Sequence, residues 1–190
     1  MAKIKKVKGR QVFDSRGNPT VEAEVFSENR SALSIVPSGA STGTHEAYEL
    51  RDKENKDYLG KGVLKAVENI NGLISKSIIN FDCADQLKID KTLIELDGTD
   101  QKKKLGANAI LAVSISAIKN VALERKVSLF KHIGGNSVNK LPIPMMNIIN
   151  GGAHANNSLE IQEFMIRPDG ANSFKECMSC LLYTSPSPRD

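Results

Sequence analysis

Residues 20–26, TVEAEVF, alternate apolar and acidic positions, and a period of two marks a strand with one buried face. Just before them, DSRGNP at 14–19 gathers turn formers, which predicts a link to an earlier strand around residues 9–13. An apolar run at 32–36 supplies a third strand, so the opening reads as an antiparallel meander. The period then changes. Val63, Val67, Ile70 and Ile74 are spaced by four, three and four, which places one apolar stripe on a helix. Ile89, Leu93 and Leu96 repeat the pattern on a shorter helix bounded by Asp85 and Gly98. ANAILAVSISAIKNVAL, residues 107–123, is apolar on more than one face and is predicted to lie centrally, with Asn108 as a possible cap. Residues 128–135 read as a short capped helix ended by glycine. Three strands followed by about four helices predict an α+β domain with its helices on one face of the sheet.

Leu141, Pro142, Ile143 and Pro144 then mark a boundary, beyond which residues 145–149 and 161–166 look strand-like again. Two strands cannot close a core, so they read as the start of something larger.

Three stretches could carry chemistry. PSGASTGTHE at 37–46 is supple and rich in hydroxyls, and it follows directly on an apolar run. It is either a solvent-facing connection or a loop that reshapes around a charged ligand. NGGAHANN at 150–157 sets a histidine among glycines and asparagines: a hairpin tip, or a backbone that approaches a ligand with His154 to donate or shuttle a proton. Gln162 and Glu163 interrupt an apolar strand at 159–166, so that strand faces water on one side or lines a polar site. In a parallel barrel, side chains near the C-terminal end of a strand face the site. His45 and His132 read as a loop histidine and part of a helix end.

Composition narrows the classes. The chain of 190 residues is 40% apolar and 25% charged, ordinary for a globular protein. Its net charge of +4 owes much to Lys3, Lys5, Lys6 and Lys8, which interleave with Ile4 and Val7 like a solvated strand face. No aromatic-rich basic patch accompanies them and tryptophan is absent, so a nucleic-acid partner is not expected. Three cysteines do not make a disulfide framework, and the Cys177–Cys180 pair has no partner at zinc spacing. No signal core or membrane-length apolar run is seen, and a cytoplasmic setting is expected.

Several motifs in order then carry a resemblance: DSRGNPTVE at 14–22, PSGASTGTHEAYELRD at 37–52, LGKGV at 59–63, LDGTD at 96–100, KLGANAILAVS at 104–114, MNIINGGAHANN at 146–157 and IQEFMIRPDGA at 161–171. Together they resemble the enolases, most closely the bacterial type, over about residues 3–176. The resemblance implies reversible dehydration of 2-phosphoglycerate to phosphoenolpyruvate in glycolysis, with two magnesium ions (Mg2+) per active site. It also implies an α+β N-terminal domain, here residues 1–137, and an eight-stranded β/α (TIM-like) barrel of which residues 138–178 are only the first strands. By the same resemblance Ser41 is a ligand of the second magnesium. His154, Gln162 and Glu163 meet the substrate, with Glu163 orienting the departing water as an accessory to catalysis. A homodimer or higher homo-oligomer is implied for the full-length protein, and cell-surface or secreted forms are known by analogy within the family.

The family's base lysine, proton-donating glutamate and three carboxylate ligands of the first magnesium match no residue here. The 190-residue chain is therefore expected to be inactive. The tail, residues 179–190, departs from the family pattern; its prolines predict that it is non-helical, and it reads as disordered or as a foreign, artefactual end. A non-catalytic, adhesion-type binding fragment is the alternative reading.

Overall fold

The computed structural model describes residues 3–39 and 43–184. It divides into two compact units, Met1–Gly135 and Asn136–Asp190.

The first unit opens with the expected meander. Strands β1 (Lys6–Phe13), β2 (Pro19–Phe26) and β3 (Ser31–Val36) pair antiparallel in that order. Asp14 Oδ1 accepts from the backbone N–H of Arg16 and of Asn18, each at 2.9 Å, and this carboxylate holds the β1–β2 turn. The alternation along β2 divides its faces: Val21, Ala23 and Val25 are fully buried, whereas Glu22 and Glu24 both bind the Arg10 guanidinium on the other side. Those bonds, Glu24 first, hold the Arg10 guanidinium above its ordinary pKa, and the bond from Arg10 holds the Glu24 carboxyl below its own.

Helices cover the apolar face. The first is a composite of α1 (Leu64–Asn69), a π-helical turn (Ile70–Ile74) and α2 (Ser75–Ile78). Its buried stripe is Ala66, Ile70, Ile74 and Ile78, with Val67 only partly covered. Residues four apart drift by about 40° per step on a regular α-helix, so three such steps would carry the stripe about 120° away from the sheet. A π turn holds more residues per turn and winds the stripe back. The sequence spacing thus explains the irregularity. Asn71 in that turn takes the N–H of Gly9 (2.8 Å) and donates to its carbonyl (3.2 Å), which clips the helix to β1.

Helix α3 (Gln86–Asp97) begins and ends as expected. The Asp85 side chain accepts from Lys88 N, and Gly98 adopts a left-handed φ of 68°. Helix α4 (Ala107–Glu124) lies across β2 and β3. It is long and apolar enough to span a membrane, yet half of it is buried inside the fold. Its inner face also carries Ser116 and Asn120, which donate to the carbonyls of Ala23 and Val25 at 2.8 and 3.0 Å. The expected cap, Asn108, does not cap. It sits in the first turn, where its amide brackets the Leu50 backbone, accepting from the N–H at 3.2 Å and donating to the carbonyl at 3.1 Å. A helix start is free to use its asparagine this way because Tyr48 O accepts the Ala107 N–H. Helix α5 (Leu129–Gly134) closes the unit, ended by Gly135 at φ 75°.

The second unit holds β4 (Met146–Asn150), β5 (Glu163–Ile166) and α6 (Phe174–Thr184). The strands pair antiparallel, and no closed barrel forms among the described residues. A parallel pair needs a crossover, usually a full helix, and the link at 151–162 carries only a three-residue 3-10 turn, Gly152–His154. Helix α6 continues through Ser179, where a non-helical tail was expected. Proline bars a helix at its own position and the residue before and disturbs the carbonyl four residues back. The first tail proline is Pro186, which leaves the start of the tail free to be helical. Pro186 and Pro188 lie outside the described residues.

Candidate functional site

The end of the β4–β5 hairpin brings together the three residues singled out there. After β4, Gly151 turns the chain under the returning segment, donating to Gln162 O at 2.9 Å; Gly152 N–H donates to Leu159 O at 2.9 Å. A Cβ on Gly151 would lie 2.5 Å from the Ile161 carbonyl oxygen, so only glycine allows this approach. Asn157 ties the far side of the loop, donating to Asn150 O at 3.0 Å and accepting from Leu159 N at 3.1 Å. The 3-10 turn between these ties presents His154.

The His154 ring is engaged at both nitrogens. Nδ1 lies 3.1 Å from Glu163 Oε2, and Nε2 lies 3.1 Å from Gln162 Nε2. With the Gln162 amide nitrogen as the donor, His154 Nε2 is the acceptor and Nδ1 carries the proton that meets the carboxylate. The result is a polarised row of amide, imidazole and carboxylate. Both His154 and Glu163 side chains keep some exposure, 25% and 34%, so a ligand can reach them. Such a row can accept, donate or align a proton on an approaching oxygen. Gln162 lies just before β5 rather than within it, because the ladder starts at Glu163. Free of the ladder, its side chain turns back to the histidine.

Sequence reasoning missed Asn147. It donates to Glu163 Oε2 at 2.7 Å and to Asn150 Oδ1 at 3.0 Å. It stood in an apolar run, MNII, and the strand irregularity that aims it leaves no mark in the sequence.

In the first unit, the loop after β3 begins from a braced stem. Ser38 Oγ donates to Glu49 Oε2 at 2.8 Å, Glu49 Oε1 accepts from Arg51 at 2.7 Å, and Arg51 also reaches Pro19 O and Lys61 O. A cavity of about 510 Å³ lies beside the stem, lined by Val36, Ser38, Glu49, Arg51 and Asn108 among others. Ser41 falls outside the described residues. His45 is exposed and His132 half-buried; His132 Nδ1 lies 3.3 Å from Arg125 Nη1. Cys83 is no thiolate nucleophile, since burial first and Asp82 second push its thiol up to about 11.

The described residues do not make a magnesium site by themselves: among them no three His, Cys, Asp or Glu side chains converge. The hairpin row offers one carboxylate, and its Oε2 is already taken by two donors.

Comparison with known proteins identifies the family. The family model described as "Enolase, N-terminal domain" matches residues 4–133, and "Enolase, C-terminal TIM barrel domain" matches residues 138–182. The chain belongs to the enolase family. It is 61% identical over 178 residues to the Enolase of Pelagibacter ubique (strain HTCC1062), an alignment that covers 94% of this chain and 43% of that protein. The chain thus spans less than half the length of that enolase. The barrel match runs past Ser179, as helix α6 does.

Proposed function

We propose that the whole protein to which these residues belong catalyses the reversible dehydration of 2-phosphoglycerate to phosphoenolpyruvate, as a magnesium-dependent hydro-lyase of glycolysis. The observation that carries this reading is the meeting of His154, Gln162 and Glu163 at one hairpin end, each in hydrogen-bond reach of the next. On this reading His154 and Gln162 bind the substrate, and Glu163 orients the departing hydroxyl. Magnesium would supply positive charge to the substrate carboxylate, and Ser41 is the residue of this chain assigned to the second ion. The carboxylates of the first ion, the base lysine and the proton-donating glutamate are assigned to the rest of the family's barrel. The 190 residues alone are accordingly proposed to be inactive. Cytoplasmic location and assembly as at least a homodimer belong to the same proposal.

The test follows phosphoenolpyruvate by its ultraviolet absorbance, with the whole protein and with the 190-residue chain, in magnesium buffer. The whole protein is expected to turn over, and Glu163→Gln to lower kcat by about 100-fold. The 190-residue chain should match the blank. A whole protein without turnover would end the enzymatic reading, and turnover by the short chain would end the claim of inactivity.

A further inference from the structure

We infer that Asn147 is the positioning residue of Glu163, brought to it by a β-bulge at Ile148; the inference rests on the enzymatic reading above. In a regular strand, residues three apart point to opposite faces, so Asn147 and Asn150 should part company. The register shows why they do not. Asn147 pairs with Met165, Ile149 with Phe164 and Asn150 with Glu163, which leaves Ile148 as an extra residue on β4. Met165 and Glu163, two apart, share a face, and the bulge therefore turns Asn147 and Asn150 to that same face. Asn147 then stands diagonal to Glu163, a separation that a long side chain can bridge.

The hydrogen bonds use this placement fully. Asn147 Nδ2 has two protons, one for Glu163 Oε2 at 2.7 Å and one for Asn150 Oδ1 at 3.0 Å. Glu163 Oε2 also receives His154 Nδ1 at 3.1 Å, while Oε1 has no partner among the described residues. Two donors on one oxygen fix the rotation of the carboxylate and leave the other oxygen to face a ligand. Bonds to an ionised acceptor are the stronger kind, so losing one frees the group to swing. Asn147 touches no reacting atom on this account. It acts through Glu163.

The experiment uses the whole protein with Asn147→Ala, Asn147→Asp, Glu163→Gln and the double variant Asn147→Ala/Glu163→Gln. Because a misplacement of about 1 Å can cost on the order of 100-fold, Asn147→Ala should lower kcat at least about tenfold with KM little changed. Asn147→Asp, of the same shape but without the donors, should lose as much. The double variant should be no slower than Glu163→Gln alone, since a residue that acts only through Glu163 has nothing left to position. Thermal unfolding identifies a variant that fails to fold; Asn147→Asp carries the test if Asn147→Ala does. A readout that needs no turnover is ¹⁵N NMR of the His154 ring: the wild type should show the proton on Nδ1, and Asn147→Ala should shift it toward Nε2. Wild-type rates in both single variants, losses that multiply in the double variant, or an unchanged His154 spectrum would overturn the inference. An inactive wild type with the expected spectral change would instead sink the enzymatic reading and leave the positioning of Glu163 standing.

Discussion

Asp97 shows how one carboxylate can organise a loop. Its Oδ2 takes the buried N–H of Leu105 at 2.7 Å, and its Oδ1 takes both the N–H and the hydroxyl of Thr99. Burial opposes its ionisation, but the bonds from Leu105 and Thr99 outweigh that and hold its pKa below the ordinary value. A lowered pKa means that the ionised form stabilises the fold at every pH above the usual aspartate range. That stability is lost only as acid protonates the folded-state carboxyl. Asp97→Asn sets an amide against the Leu105 N–H and should cost about 1–3 kcal/mol at neutral pH. In urea titrations at falling pH the wild type should weaken toward the variant, and a gap that stays constant into strong acid would refute the assignment. The LDGTD motif marked this loop in the sequence, but not which of its two aspartates is buried, because the deciding partner is the backbone of a residue eight positions on. Asn108 was misread for a similar reason. A helix-start asparagine looks like a cap until the chain it must hold, Leu50, is seen beside it.

At the scale of elements, a period of two located β2, turn formers and an apolar run located β1 and β3, and the helical spacing of apolar residues located the helices of the buried stripe and of α3. That spacing did not foresee the π turn, although the four-residue spacing of Ala66, Ile70, Ile74 and Ile78 encodes it, because the stripe was matched at Val67 instead of Ala66. That turn faces Gly9, where a Cβ would lie 2.9 Å from Ile70 Cβ and 3.0 Å from its Cγ2. Gly9→Ala should therefore destabilise by about 1–3 kcal/mol through overpacking. Ile70→Ala, which empties a fully buried site, should cost about 2–5 kcal/mol. The two changes share one contact, so the double variant should cost less than the sum of the singles in thermal unfolding. Strict additivity would show that β1 and the π turn are not packed as described. The hairpin strands were likewise placed by pattern, but their antiparallel sense and the bulge at Ile148 are matters of pairing, which a single strand's period does not record. The residues of the candidate site were legible from their chemistry and the family motif; the asparagine that aims one of them was not.

For the molecule as a whole, apolar burial is distributed unequally. The apolar core cluster, from Ile4 through Val121, belongs entirely to the first unit. In the second unit, Cys177 and Leu181 are the buried apolar side chains among the described residues, while Ile148, Ile149, Phe164 and Met165 on its two strands are exposed. A two-stranded ribbon is marginal in water, and strands apolar on both faces are stable only when both faces are covered. The first unit should accordingly fold by itself. A polypeptide of residues 1–135 is expected to unfold in one cooperative urea transition, with a slope of about 1–3 kcal/mol per M. A polypeptide of residues 136–190 should show no such transition and no amides protected from hydrogen exchange, because little apolar surface leaves water when its strands pair. The hairpin geometry at His154 and Glu163 would then persist only where other chain covers those strands, which ties the chemistry of the site to the completeness of the barrel around it. Cooperative unfolding of residues 136–190 on their own would break that link, since the hairpin would then supply the stability that its exposed strands lack.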